Sequence, residues 1–232
     1  MPPYPSVTAT TKKIKSQVNV RKNTIRVVVD ENNPASHLVS FTFDALVDGS
    51  ITIFYFATEG VDCPCTSVIP GIYMPTKIPF YKGLNQIFYQ PSGTGIDLGF
   101  FELDDLLKPS PREDAFPLVI FVETCLPPLS TDVQVQPNQP LPNVSPQAQI
   151  TQAVLEKNNK GHFQVRLIKQ ALWVDNIRYE LREIYGMENS GEEGFDDSEA
   201  AKECVICLTE PKDTAVLPCR HMVRAPTLSL FF

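Results

Sequence analysis

The chain predicts a mainly β protein: an antiparallel β-sandwich-like domain, a flexible acidic tether, and a small motif rich in cysteine and histidine. Three observations carry this. About seven short β-branched or aromatic runs, separated by turn residues, lie between Ile14 and Gly186. From Glu188 to Glu203 the sequence turns acidic and Gly/Ser-bearing, with Glu192, Glu193, Asp196, Asp197 and Glu199, as a self-repelling tether does. Beyond it stand three of the six cysteines and one of the three histidines.

Composition sets the outer limits. A chain of 232 residues, 43% of them apolar, is long enough to bury a sizeable core. Its net charge of −7 disfavours a nucleic-acid backbone as main partner, because counterion release needs a basic face. No apolar run approaches the ~20 residues of a membrane span, and no signal-peptide region opens the chain. Cys63, Cys65 and Cys125 form no spaced disulfide framework. The expected compartment is therefore reducing: the cytoplasm, with the nucleus as alternative. Asn143-Val144-Ser145 matches a glycosylation acceptor, which means little without a signal peptide.

Residues 1–13, with Pro2, Pro3 and Pro5, are expected to be disordered. Thr24–Asp30 is β-branched and ends in the turn Asp30-Glu31-Asn32-Asn33-Pro34. Leu38–Asp44 alternates, placing Val39, Phe41 and Phe43 on one face. After the Asp48-Gly49 turn, Ser50–Phe56 alternates again, and the two runs read as a hairpin with one buried face. Glu59 to Pro79 reads as a long Pro-containing loop. Its Cys63-Pro64-Cys65 pair has no histidine close in sequence and is not read as a metal site.

Gln86–Gln90 is a short strand, followed by the turn Pro91-Ser92-Gly93-Thr94-Gly95. A phosphate-loop reading of this glycine pair fails, since Leu98 stands where a third glycine belongs and no helix follows. Glu102, Asp104 and Asp105 alternate with leucines and read as a solvated helical face; no base or nucleophile stands near them. Pro117–Thr124 is a buried strand, closed by Cys125 as a small core residue. Residues 127–148 form a Pro/Gln-rich loop.

Gln149–Glu156 and His162–Val174 are extended, with Phe163, Val165 and Leu167 facing inward and Ile168 a further candidate. His37 and His162 are expected at the surface. Ile177–Tyr185 fits both periods: Ile177, Tyr179 and Leu181 alternate as in a strand, whereas Ile177, Leu181 and Ile184 share a helix face. Its Glu and Arg content favours the helix.

Chemistry concentrates in Cys204-Val205-Ile206-Cys207, then eleven residues, then Cys219-Arg220-His221. Thiolate and imidazole at Cys-x2-Cys and Cys-x-His spacing suit tetrahedral zinc. The plainer alternative is a pair of buried cysteines on a strand. A third, all four side chains on one metal, is opposed by the tight chelate that a single residue between Cys219 and His221 imposes.

The stretch ECVICLTEPKDTAVLPCRHM (203–222) resembles the first half of a RING finger, closest in wording to the mahogunin-type RING ubiquitin ligases and especially their plant members. The string PSGTGID (91–97) resembles a stretch upstream of the RING in the same family. The resemblance implies two cross-braced zincs held by eight ligands. Cys204 and Cys207 match the first pair, and Cys219 and His221 the second. It also implies contact with a ubiquitin-conjugating enzyme (E2) at Ile206, with Leu217 and Pro218 shaping the approach to the second ligand pair. No catalytic residue is implied, since such ligases act by positioning a charged E2.

The family pattern continues with a cysteine shortly after His221, where this chain has Arg224 and Ala225. No cysteine or histidine follows up to Phe232. Residues 204–232 therefore read as a RING truncated after its fourth ligand, with a divergent tail, as in a truncated or alternatively spliced product or a faulty gene model. Family members often carry a myristoylated glycine after the initiator; with Pro2 in that place, this anchor is not expected here. The implied function is E3 ubiquitin ligase, with the domain at 14–186 holding a protein substrate or adaptor, an acidic linker at 187–203, and zinc as cofactor. The alternative is a catalytically inactive isoform that serves as a binding module.

Overall fold

The structure, a computed structural model, describes residues 14–60, 65–110, 114–125 and 146–182, and two short strands beyond them. Residues 1–13, nearly all of the Pro/Gln-rich loop and the acidic linker lie outside the described residues. In chain order the strands of the first unit are β1 (Val18–Val20), β2 (Arg26–Asp30), β3 (Asn33–Ala45), β4 (Gly49–Glu59), β5 (Cys65–Ser67), β6 (Lys77–Phe80), β7 (Gly83–Tyr89), β8 (Phe116–Thr124), β9 (Gln147–Lys157), β10 (Phe163–Val174) and β11 (Ile177–Leu181), with one short helix, α1 (Leu103–Leu107), before β8.

They form two sheets, antiparallel at every pairing. In the four-stranded sheet, β3 carries β7 along one side and β1 and β2 along the other. The seven-stranded sheet runs β11-β10-β9-β8-β4, with β5 and β6 sharing the far side of β4. One core joins them. Val39, Phe41 and Phe43 of β3 and Phe88 of β7 meet Ile51, Ile53 and Tyr55 of β4, Leu118, Ile120 and Val122 of β8, and Ala153 and Leu155 of β9. Period-2 alternation supplies these faces, and each of the larger aliphatic and Phe side chains contributes about 1.5–3 kcal/mol by leaving water. Glutamines tie the sheets at one end. Gln147 and Gln149 of β9 accept from the backbone N–H groups of Gln17 and Val20 at 2.9 and 2.8 Å, and Gln170 of β10 donates to the Val20 carbonyl.

Several sequence expectations are corrected here. The runs at 38–44 and 50–56 are not a hairpin: β3 and β4 lie in different sheets, and the Asp48-Gly49 turn is a crossover that trades local pairing for two faces of one core. Ile177–Leu181 is a strand rather than a helix. Asp175 and Asn176 adopt φ of 52° and 60°, the left-handed pair of a two-residue hairpin turn, and this returns the chain along β10. The stretch Glu59 to Pro79 contains β5 and the start of β6, and it buries Tyr73, whose hydroxyl donates to the Ile53 carbonyl. Cys125 is exposed, because β8 ends at Thr124; its backbone N–H donates to the Asp48 carbonyl.

His37 is half-buried rather than on the surface. Its ring lies edge-on to Phe163 at 5.1 Å, and burial lowers its pKa below the usual imidazole value. Ile168 is exposed: a bulge between Leu167 and Lys169 interrupts the register of β10 with β9, so Phe163 and Val165 pack on the core but the faces exchange beyond it. As expected, Asp104 and Asp105 lie exposed on α1, and β8 is buried.

The PSGTGID segment is a structural pin. Asp30 accepts from the backbone N–H of Gly93 at 2.9 Å and from the Ser92 hydroxyl at 2.8 Å, bonds that hold its carboxyl below the usual carboxylate pKa. That contribution is present above the ordinary carboxylate range and is lost as pH falls through the lowered folded value. Gln90, fully enclosed, accepts from the Tyr55 hydroxyl and donates to the Thr94 carbonyl. Gly95 packs where a Cβ would lie 2.4 Å from the His37 carbonyl and 2.6 Å from the Ser36 hydroxyl. Gly95→Ala is therefore expected to destabilise the domain by about 1–3 kcal/mol through overpacking against backbone, read as a lowered urea midpoint with unchanged slope.

Candidate functional site

On the face of the seven-stranded sheet turned away from the core lies a second apolar cluster. Ala57, Phe116, Val119 and Ile150 are buried there, with Phe54, Phe121, Cys65 and Trp173 packed around them. Two local irregularities build it. Phe56, at φ 49°, turns into the core against Phe101, which swings Ala57 to the opposite side. The β10 bulge does the same for Lys169, Ala171 and Trp173, which pair in register with Gln152, Ile150 and Ala148.

At the edge of this cluster opens a cleft of about 360 Å³, lined by Glu59, Phe116, Gln152, Lys169, Trp173 and Arg178 together with Gly60 and Asp114. Glu59 organises it. Its carboxylate accepts from the Trp173 indole N–H at 2.7 Å, from Arg178 Nε at 2.7 Å and Nη2 at 3.1 Å, and from Gln152 Nε2 at 3.3 Å. The Glu59 carboxylate raises the pKa of Arg178 and holds it charged. Lys169 Nζ sits 4.9 Å from the centre of the Phe116 ring, a cation–π contact. This arrangement binds and orients. Among the described lining residues, no nucleophile stands beside a general base. Sequence reading missed it. Its members lie up to 119 residues apart, and the only local signal was an unusual Glu at the end of an apolar strand.

The sequence-predicted metal and E2-contact residues fall in the second unit, which is described by itself. Two three-residue strands, β12 (Thr214–Val216) and β13 (His221–Val223), pair antiparallel, with Val216 opposite His221 and Thr214 opposite Val223. His221 thus opens β13, and Cys219 stands in the four-residue connection. Cys204, Ile206, Cys207, Leu217, Pro218 and Cys219 lie outside the described residues. The donor chemistry fits zinc: three cysteines and one histidine, at Cys-x2-Cys and Cys-x-His spacing. As cross-brace pairs they would supply half of each of two sites. Among the described residues, no group of three or more His, Cys, Asp or Glu side chains is placed to hold a metal, and no helix is long and apolar enough to cross a membrane.

Comparison with known proteins adds kinship. Residues 18–181, from the first residue of β1 to the last of β11, match a family model described as the RNF157-like N-terminal domain. The chain is 51% identical over 212 residues to a probable E3 ubiquitin-protein ligase, LUL4, of Arabidopsis thaliana, covering 91% of this chain and 56% of that protein. It is 52% identical over 227 residues to LUL3 of the same plant, described in the same words, covering 95% and 57%. The E3 ubiquitin-protein ligase MGRN1 of Mus musculus is 32% identical over 232 residues, covering 91% and 40%. The chain thus spans a little over half the length of these plant relatives. No solved structure matches it.

Proposed function

Because the chain belongs to the RNF157-like, mahogunin-type family of E3 ubiquitin ligases, we propose that it serves ubiquitin transfer in two parts. The β domain holds a protein substrate or adaptor. The motif at 204–221 belongs to a zinc-dependent RING that docks a ubiquitin-charged E2, with Ile206, Leu217 and Pro218 at the contact. In the transfer, a substrate lysine amine attacks the E2–ubiquitin thioester carbonyl; an amide bond forms, and the E2 thiol leaves with the proton. The ligase contributes orientation and no covalent step. Zinc, when bound, supplies the rigid geometry of the docking loops. Cys204 with Cys207, and Cys219 with His221, would hold it. Action in the cytoplasm fits cysteines that form no spaced disulfide framework along the sequence.

The observation that carries this reading is the union, in one chain, of kinship to proteins named E3 ubiquitin-protein ligases with cysteines and a histidine at RING ligand spacing. Its test uses a form of the chain with a complete RING continuing after Met222. Ile206→Ala in that form is expected to slow discharge of ubiquitin from a charged E2 at least about tenfold while leaving zinc content unchanged, since one lost apolar contact of about 1.4 kcal/mol has that effect. Undiminished discharge would remove Ile206 from the interface. A second reading is favoured by a specific fact: residues 222–232 hold no further ligand. On that reading, residues 1–232 by themselves act as a binding module without transfer activity.

A further inference from the structure

The cleft beside Glu59 has a polar balance that ligand-free packing leaves unexplained. Gln152 is 2% exposed, and its amide orientation is set because Nε2 donates to Glu59; its Oε1 then has no hydrogen-bond partner. A buried acceptor left unpaired is costly and calls for a reason. Facing the same cleft, Lys169 makes no ion pair among the described residues and rests on Phe116. Glu59 already accepts from Trp173, Arg178 and Gln152. Among the described lining residues, Glu59 and Asp114 offset Lys169 and Arg178, so the cleft is formally neutral.

We propose that this cleft binds the main-chain amide of an extended peptide segment from a protein partner, with the peptide carbonyl accepting from Lys169 Nζ, its N–H donating to Gln152 Oε1, and its apolar parts lying between Trp173 and Phe116. The assignment deepens the capture role proposed for the β domain and rests on it. Ionic ligands fit worse. A carboxylate would leave Gln152 Oε1 unpaired and would meet Asp114, whereas an ammonium would face Lys169. A neutral amide carries one donor and one acceptor and matches both unused groups. Oε1 is shielded from water in the free chain. Binding of the peptide N–H there requires a local side-chain adjustment that opens Oε1 to the cleft. The volume, about 360 Å³, is at the small end of ligand sites and suits a short extended segment rather than a folded surface.

Trp173 is the single tryptophan of the chain, so its emission reports on this cleft alone. The whole chain would be titrated with N-acetylated, C-amidated apolar tripeptides, and with acetate and methylammonium as ionic controls. A saturable change in emission is expected with the blocked peptides and not with the ions. Lys169→Met keeps the apolar stem on Phe116, and its fold is checked by thermal unfolding; it should weaken the response by roughly tenfold, the effect of losing one charge-assisted hydrogen bond. Gln152→Leu should weaken it similarly. A flat response to peptides, saturation by either ion, or equal binding by both variants would overturn the assignment. Partner capture is measured on the same chain by cross-linking. Cross-linking that persists while tryptophan stays silent removes the cleft and leaves the domain-level reading; loss of cross-linking by the whole chain removes that reading itself.

Discussion

Glu59→Ala is expected to lower the unfolding free energy by about 2–4 kcal/mol, the largest loss from any single polar substitution in the β domain. The side chain is 11% exposed and receives four hydrogen bonds, two of them from Arg178. Its removal leaves the Trp173 N–H without its acceptor and the Arg178 charge without its counterion. Breaking a fully buried pair costs roughly 3–5 kcal/mol. Arg178 is 30% exposed, so water recovers part of that, which sets the lower figure. Glu59→Gln preserves shape and one acceptor and should lose about half as much. Urea unfolding of the three proteins reads this directly. A midpoint for the alanine variant within about 0.5 kcal/mol of the parent would show that the clamp is dispensable.

Completing the ligand set is expected to change metal content and activity together. Residues 1–232 taken by themselves should carry well under two zincs per chain and discharge a charged E2 no faster than a control without ligase. Each proposed site would have two protein ligands, and structural zinc contributes on the order of ten kcal/mol only when coordination closes. A complete RING tail after Met222 should raise zinc to two per chain and switch discharge on, and Cys204→Ser in that form should abolish both gains. Elemental analysis after dialysis and a single-turnover discharge assay give the answer. Two tightly held zincs with robust discharge in the unaltered sequence would refute the half-site argument.

Much of the fold was legible locally. Val39, Phe41 and Phe43 announce a buried strand face by alternation alone, and the PSGTGID run announces a turn through its glycines; both stand in the structure. Reading failed where a local rule has two non-local outcomes. Asp48-Gly49 permits a hairpin or a crossover with the same residues. Ile177–Leu181 carries both periods, and the left-handed pair Asp175-Asn176 decides for the strand. Cys125 was placed in the core by its type, yet it stands one residue beyond the end of β8.

What the sequence by itself determined is the β character of the described residues between 14 and 182, the position of most of their strands, and the ligand spacing of Cys204, Cys207, Cys219 and His221. These depend on side-chain type, alternation and backbone preference within a few residues. Only the tertiary structure decided which strands share a sheet and which side chains converge on Glu59. The β10 bulge turns Lys169 and Trp173 to the outer face, and it takes β4, β9 and β11 together to bring Glu59, Gln152 and Arg178 within hydrogen-bonding distance. Pairing partner and register are set by the summed burial of distant faces, a quantity that no short window of sequence contains.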